Sequence, residues 1–323
     1  MAVSDKAQLG AKTETTYGTS AAPVDKFFDF VSESAAFEQT RIESSSLRAQ
    51  SRVITTDNWA LGSQSVSGDF DMELRPKGQA FWLAHAIGTA VTSQPDAAGN
   101  PTVYLHTITP AALPQSFTLQ IAKPDIADTA HPFTYTGCRV SDWELTCEVD
   151  SFAHLKLSFL GQAESTATAL AVASYPTGNK PYTFVQGTIT VAGSAAKVKS
   201  LSLQGANNLT DDRVFLGSTL RDRPEENALR EYTGSLEAEF NGLTQYNRFV
   251  QGTEAEVVLL FEGATISSTY KYQCKITMNV RFDGETPKVG GPEIVQAPMP
   301  YKVINNGTTS IKVEYQTTDT TAA

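Results

Sequence analysis

Apolar and polar residues alternate with a period of two along several segments of this 323-residue chain. Residues 143–149 place an apolar side chain at every second position, and residues 154–159 repeat the pattern after a short turn. Successive side chains of a strand point to opposite faces of a sheet, so the two segments predict a half-buried antiparallel hairpin. The same alternation over residues 270–280 and 311–315 predicts a mainly β fold.

Two segments instead show the apolar spacing of helices. Residues 77–87 are followed by Gly88, and residues 243–251 are followed by Gly252. Glycine is favoured directly after a helix because it adopts the left-handed conformation without steric cost. We therefore expect two short helices of about three turns or fewer.

The two predicted helices lie in matching contexts. Each follows a strand that begins with glycine and carries carboxylates on one face, residues 68–74 and 234–240. This match predicts an internal duplication, with chance similarity between two β-rich stretches as the alternative. The other matching pairs are residues 41–48 with 213–221, 117–121 with 257–261, and the strands around Cys138 and Cys274.

The duplication sets the expected domain boundaries. Residues 1–24 are polar and small, which predicts an extended N-terminal arm with little core of its own. The repeated stretches are 25–165 and 182–316, and residues 90–112 are extra loop material in the first copy. The predicted units are an N-terminal arm 1–24, a first β domain 25–165, a linker 166–181, and a second β domain with its C-terminal tail 182–323.

Charge and composition exclude several classes of protein. The formal net charge is -10, which argues against wrapping nucleic acid, because phosphate binding needs clustered lysine and arginine. Three cysteines are too few and too scattered for a disulfide framework, so we expect buried free thiols in a reducing cytoplasm. The first twenty residues lack the features of a signal peptide, and no apolar run approaches 18 residues, so neither export by the general route nor membrane insertion is expected.

Sequence motifs for catalysis are absent. The four histidines stand in separate contexts without metal-ligand spacing, and there is no nucleophile elbow, phosphate loop or dinucleotide-binding glycine motif. Carboxylates are plentiful, but no sequence feature singles out a catalytic pair. The sequence therefore predicts no catalytic, cofactor-binding or metal-binding residue and a protein that is not an enzyme.

The chain resembles the tail tube (major tail) proteins of long-tailed, non-contractile bacteriophages over most of its length. The resemblance includes the acidic strand that leads into a short helix and the length of the chain. It also includes the opening of the chain: Gly10, Lys12, Glu14, residues 16–19, Pro23, an apolar strand at 27–31 and the segment 41–48.

This resemblance implies a β-sandwich or barrel-like core with short flanking helices and a place in the virion tail after synthesis in the host cytoplasm. It implies subunits that join into rings, and rings that stack into a tube through which double-stranded DNA passes without specific binding. One such fold per chain gives sixfold rings, so a duplicated chain is expected to form a homotrimer with pseudo-sixfold symmetry, with a homohexamer as the alternative. Tape-measure and tail terminator proteins are the other implied partners.

Two groups of residues are candidates for these roles. A wall that carries carboxylates repels DNA phosphates, so the acidic strand faces Asp69, Asp71, Glu73, Glu237 and Glu239 are candidates for the lumen, with ordinary solvated strand faces as the alternative. Arginine pairs well with carboxylates at interfaces, and the loops it flanks here are long and polar. The candidates for subunit interfaces are Glu14, Tyr17, Arg48, Arg52, Arg221 and Arg223, with simple solubilising charge as the alternative for the arginines.

Two other functions are consistent with the sequence. A tail terminator or baseplate protein would use the same building block but form a single ring that does not polymerise. A carbohydrate-binding or glycosidase β-sandwich would need a cleft with exposed aromatic side chains, and the sequence offers no clear platform of that kind.

Overall fold

The computed structural model describes residues 6–113, 115–284, 286–289, 291–292, 294–308 and 310–322. Within these ranges the chain is mainly β structure, and its strand ladders are antiparallel. Eleven strands and one α-helix precede residue 166. They are β1 (Gln8–Thr13), β2 (Lys26–Phe28), β3 (Ser32–Glu33), β4 (Ala36–Glu43), β5 (Trp59–Glu73), α1 (Ala80–Ile87), β6 (Gly88–Ser93), β7 (Tyr104–Pro110), β8 (Phe117–Pro124), β9 (Ala130–Glu148), β10 (His154–Gly161) and β11 (Ala163–Ser165).

The remainder of the chain adds eight strands and the second α-helix. Short 3₁₀ helices occupy Thr56–Asn58 and Phe184–Gln186. The other elements are β12 (Gly187–Val191), β13 (Ser194–Ala195), β14 (Val198–Ala206), β15 (Glu231–Glu239), α2 (Thr244–Gln251), β16 (Ala255–Ser267), β17 (Tyr270–Phe282), β18 (Gln296–Val303) and β19 (Ile311–Thr317).

Strand pairing defines three sheets that join at long strands. Sheet 1 has the order β2–β1–β8–β9–β11 and uses the first part of β9. The shared sheet has the order β5–β10–β9–β14–β15–β18 and uses the second part of β9. Sheet 2 has the order β13–β12–β16–β17–β19–β7–β6. Residues from both sides of the 166–181 segment therefore lie in the shared sheet and in sheet 2.

Helix α1 fills the space between sheet 1 and the shared sheet. The Trp82 ring lies 4.8 Å from the Phe28 ring of β2, 4.6 Å from the Phe70 ring of β5 and 5.3 Å from the Phe117 ring of β8, measured between centroids. All eight residues of α1 are buried. The arrangement is a β-sandwich, as the resemblance implies, but α1 lies inside one end of it rather than on its flank.

The predicted helices and strands are largely confirmed. Helix α1 begins at Ala80 rather than at residue 77, because Gly78 adopts a positive φ of 82° that an α-helix cannot continue. Helix α2 begins at Thr244 and ends before Gly252, which has the expected left-handed conformation. The predicted hairpin of residues 143–149 and 154–159 is the β9–β10 pair, in which Trp143 lies opposite Leu157.

The expectation of a loose N-terminal arm is wrong for residues 6–24. Strand β1 lies between β2 and β8 in sheet 1, and Leu9 and Ala11 are completely buried. The sequence misled because the strand is built from small residues: a Cβ at Gly10 would lie 2.7 Å from Cγ2 of Val24. Close packing of small residues beside the buried Leu9 anchors this segment.

The expected extra loop at 90–112 is instead a β-hairpin. Strands β6 and β7 pair with each other, and β7 also pairs with β19 near the end of the chain. Threonine and β-branched residues in these strands favour extended backbone, which the Pro and Gly residues around them obscured in the sequence. The hairpin thus extends sheet 2 rather than projecting into solvent.

Strand neighbours recur along the chain. Strand β12 lies between β13 and β16, as β1 lies between β2 and β8. Strand β15 lies between β14 and β18, while β5 pairs with β3, β4 and β10. Gly68 of β5 lies opposite Phe159, and Gly234 of β15 lies opposite Tyr301. In both parts of the chain, an aromatic residue thus lies opposite the glycine that precedes the carboxylates of the strand.

Candidate functional site

The shared sheet has one apolar face and one open face. In β5 the side chains of Phe70 and Met72 are buried, as is Leu74 directly after the strand, while the alternating residues point away from the core. In β15 Leu236 and Ala238 are buried in the same way. The period-two pattern thus assigns the carboxylates of both strands to the open face.

Strand β10 connects the first group of carboxylates to the centre of the sheet. Asp69 lies opposite Ser158, Asp71 opposite Lys156, and Glu73 opposite His154. Residues directly opposite each other in an antiparallel pair project to the same side of the sheet. The open face therefore continues from β5 across β10 to β9.

The β9–β14 ladder carries the same face into the second part of the chain. Glu148 of β9 lies opposite Ser200 of β14, and Ser200 lies opposite Glu237 of β15. The Ser200 hydroxyl donates a hydrogen bond of 3.1 Å to Glu237. Candidate lumen residues that are more than 160 positions apart in sequence therefore share one continuous surface, which we call the acidic face.

The sequence analysis missed other carboxylates of this face. Asp142, Glu144 and Glu148 project from β9, and Glu231 projects from β15 opposite Ala206. The alternation over residues 143–149 was the available signal, but the pairing of β9 with β14 was not visible in the sequence. Among the described residues, the acidic face contains Asp69, Asp71, Glu73, Asp142, Glu144, Glu148, Glu231, Glu237 and Glu239.

Several of these carboxylates lie close to a lysine or histidine side chain. Asp69 lies 3.8 Å from Nζ of Lys156, Asp71 lies 3.1 Å from Nδ1 of His154, and Glu239 lies 3.1 Å from Nζ of Lys199. Such exposed pairs contribute little to stability. Lys156, Lys199, Lys302 and Arg75 are the lysine and arginine residues that pair with the acidic face in the described chain, so negative charge is in excess there.

Ionisable groups away from the acidic face are mostly structural. Burial, with a smaller contribution from Arg139 and Lys26, lowers the pKa of His85 in α1 to about 3, so this imidazole is neutral and its Nε2 lies 3.1 Å from the Thr13 hydroxyl. All three cysteines are described, free and buried, and burial raises the pKa of Cys274 to about 12. Among the described residues, no group of three or more His, Cys, Asp or Glu side chains is placed to hold a metal ion.

Comparison with known families identifies the fold. A family model described as phage tail tube protein matches residues 4–303. This chain belongs to the phage tail tube family. No curated protein matches the sequence.

Membership of this family makes the chain a structural tail tube protein of the bacteriophage virion tail, and the non-contractile type is consistent with it. The family implies assembly into a tube together with other tail components. Helices α1 and α2, the α-helices of the described residues, are too short to span a membrane.

Glu14, a candidate interface residue of the tail tube protein, lies inside a single chain. Its carboxylate accepts hydrogen bonds from the hydroxyls of Ser116 and Thr118 and from the backbone N–H groups of Gly18 and Gly137. The residue is 1% exposed. In this conformation Glu14 ties β1 to its neighbours and is not available to another subunit.

Three other interface candidates lie where the two parts of the chain meet. The Tyr17 hydroxyl donates to the carbonyl of Asp222, and the Gln162 amide donates to the carbonyl of Arg221. Arg221 is buried, whereas Arg223 is exposed and pairs with Glu225. These residues contribute to a contact within the tail tube protein, between residues 207–230 and the first part of the chain.

Arg48 and Arg52 have a different environment. Both are exposed and lie in the long connection between β4 and β5. Leu47 beside them is fully exposed. The structure thus leaves this connection open, and the role of its arginines in subunit contacts stays a prediction.

Proposed function

We propose that this protein assembles into stacked rings that form the phage tail tube, with the acidic face lining the channel through which DNA is ejected. The observation that carries this proposal is the continuous acidic surface on a sheet shared by both parts of the chain. Carboxylates repel DNA phosphates and offer no site for counterion release, so DNA slides without binding.

The proposed ring contains three chains. The recurring strand order and the paired registers Gly68–Phe159 and Gly234–Tyr301 support an internal duplication, with a first half of residues 6–165 and a second half of residues 182–322. If each half supplies four strands to the wall, three chains give roughly 24 strands at about 4.8 Å spacing, an opening of roughly 37 Å between backbones before strand tilt widens it. A duplex fits through such an opening.

The same proposal specifies partners and a structural role. Carboxylates of the acidic face are bonded to side chains of neighbouring strands, as Glu237 is to Ser200 and Glu144 is to Gln204. We infer a non-enzymatic protein that is made in the host cytoplasm and meets a tape-measure protein inside the tube and a terminator protein at its end. Double-stranded DNA is cargo rather than a bound ligand.

Electron microscopy of the concentrated protein tests the assembly. Negative-stain images are expected to show tubes of repeating rings, and the mass of an isolated ring is expected to be three times the chain mass of 34.8 kDa. Rings that never stack would instead indicate a terminator or baseplate protein. Persistent single chains with a sugar-dependent melting temperature would indicate the carbohydrate-binding alternative.

Charge reversal tests the acidic lumen. Tubes assembled from a Glu144→Lys and Glu237→Lys double variant are expected to retain linear duplex DNA at low salt and to release it as salt rises, because lysines bind phosphates electrostatically. Wild-type tubes are expected to retain none. Circular DNA of the same length is the control, since it cannot thread into a tube; equal retention of both forms would place these residues on the outside.

A further inference from the structure

Residues 207–230, which we call the clasp, hold the first half of the chain. Asn207 is completely buried, and its side-chain Nδ2 donates to the carbonyls of Ala86, at the end of α1, and of Val140, in β9. The backbone N–H of Asn207 donates to the carbonyl of Ser141. The start of the clasp is therefore fixed to both α1 and β9.

Other clasp residues also form hydrogen bonds with the first half of the chain. Arg230 donates to the carbonyls of Ile87 and Ala111, both at 2.6 Å. Arg139 of β9 is 7% exposed and donates to the carbonyl of Pro224 at 2.7 Å. The clasp thus covers the C-terminal end of α1 and buries an arginine of the first half.

Strand register identifies the matching residues in each half. Val140 lies opposite Phe159, and Phe282 lies opposite Tyr301, so Arg139 matches Arg281. Ser32 lies opposite Asp71, and Ser200 lies opposite Glu237; counting along the strands from these pairs, Gln39 matches Asn207. Residues 39–64, which we call the arm, are the counterpart of the clasp.

The arm meets the second half of its own chain at its base, where the backbone N–H of Gln64 donates to the carbonyl of Thr219. Its outer part, residues 44–58, projects from the β4–β5 hairpin, and β4 pairs with β5 along one edge while most of its residues are exposed. Large apolar side chains are exposed on both faces of the hairpin, because Ile42 lies opposite Ala60 and therefore faces away from Trp59 and Leu61. Exposed apolar side chains gathered on one element mark a candidate interaction site. The exposed large apolar residues of the arm are Ile42, Leu47, Val53, Ile54, Trp59 and Leu61.

The surface of the second half that corresponds to the one covered by the clasp is exposed as well. It consists of α2 and Arg281, the counterparts of α1 and Arg139. None of the eight residues of α2, all of them described, is buried, whereas α1 is buried throughout. Arg281 is about half exposed and pairs with its near neighbour Asp283. The arm and the surface of α2 and Arg281 are thus both exposed, whereas the matching clasp and its surface are in contact within the chain.

We propose that the arm of one chain docks on α2 and Arg281 of a neighbouring copy and repeats between subunits the contact that the clasp makes within the chain. The proposal rests on the ring assembly proposed above and identifies its lateral interface. A contact of this kind is heterologous, because arm and docking surface are different parts of the chain, and a fixed rotation closes it into a ring. Arg48 lies in the outer part of the arm, and Arg281 takes the place of Arg139.

A disulfide tests the contact directly. Asn207 and Ser141 are joined by a backbone hydrogen bond of 2.8 Å. Their counterparts Gln39 and Asp283 should then come close enough between subunits for a disulfide, which needs Cα atoms about 4.4–6.8 Å apart. Oxidised tubes of a Gln39→Cys and Asp283→Cys double variant are expected to give a ladder of cross-linked chains on a denaturing gel, ending at three.

Single-cysteine variants are the control, and background is low because the natural cysteines are buried. Tubes that form without cross-links, although both introduced cysteines react with a thiol reagent, would overturn the arm contact and leave the tube function intact. Wild-type protein that forms neither rings nor tubes would overturn both.

A second variant keeps the test decisive if the cysteines disturb folding. Leu47→Asp is expected to raise the concentration needed for assembly at least tenfold and to leave single chains, without changing urea unfolding of the chain. Ile126→Asp is the matched control, since Ile126 is equally exposed in the turn after β8. Closed Leu47→Asp rings that fail to stack, or assembly equal to that of the control, would overturn the proposal.

Discussion

Helices α1 and α2 occupy matching places after β5 and β15 but differ in almost every physical property. The sequence of α1, AFWLAHAI, is apolar on all sides, and its eight residues are buried between two sheets and the clasp. The sequence of α2, TQYNRFVQ, is polar on most sides, and its described residues remain accessible to solvent. One helix is part of a core, and the other forms a surface.

The difference in burial between α1 and α2 arises from the elements that surround each helix. The first half has the β6–β7 hairpin, sheet 1 and the clasp around α1. Among the described residues, the neighbours of α2 are chiefly β17 and the first residues of β18. A helix that is covered within the chain needs apolar residues on every side, whereas an open helix keeps the polar residues that make it soluble before assembly.

The largest expected effect compares the two aromatic residues at matching positions of the helices. Trp82→Ala should lower the free energy of unfolding by about 3–5 kcal/mol, because it leaves a cavity among Phe28, Phe70 and Phe117. Tyr246→Ala in α2 should cost about 1 kcal/mol or less. Urea unfolding of the unassembled chain measures both, and equal losses would show that α2 is as well packed as α1.

Helix α1 should also make the stability of the chain depend on pH, through its buried histidine. The pKa of His85 is lowered to about 3 by burial, so the unfolded chain binds more protons than the folded chain between pH 3 and 6.5. Its contribution to stability is complete above about pH 6.5 and is lost as the pH falls, by about 2–3 kcal/mol at pH 4.5.

The control for this titration is His85→Phe, which introduces the aromatic residue found at the matching position, Phe249. Unfolding curves between pH 4.5 and 8 should show a shallower loss of stability in this variant, since buried carboxylates titrate equally in both proteins. Identical slopes would mean that His85 becomes protonated without unfolding the helix.

The smallest expected effect concerns the matching arginines. Arg139→Ala should cost about 1–3 kcal/mol in the unassembled chain, because the carbonyls of Pro224 and Leu113 lose their buried donor. Arg281→Ala should leave the urea midpoint unchanged there, and its effect should appear in assembly. A large loss of stability for Arg281→Ala would contradict the equivalence of the two positions.

Much of the fold is visible in the sequence because it depends on local pattern. The alternation in β9, β10 and β17 predicts the strands and the face of each side chain, and Gly252 ends α2 where it is expected. The N-terminal strand was missed since Gly10 and Ala11 gain their stability from close packing, which leaves no apolar signal in the sequence.

The acidic face, too, could be predicted from the sequence only in part. Period-two alternation fixed that Asp69, Asp71, Glu73, Glu237 and Glu239 point away from the core of their own strands. The sequence could not tell that β9 and β14 pair, so the contribution of Asp142, Glu144 and Glu148 and the continuity of the surface were hidden. The burial of Arg221 and the exposure of Arg48 were likewise not visible in the sequence.

The sequence by itself determined most of the strands, the two short helices and the orientation of their side chains, because hydrophobic periodicity and turn glycines act over a few residues. The tertiary structure alone decided which strands are neighbours, which helix is covered and how exposed the arm is. Those outcomes depend on contacts between residues more than fifty positions apart, such as those of β9 with β14, where the free energy of packing and hydrogen bonding is not written in any local pattern.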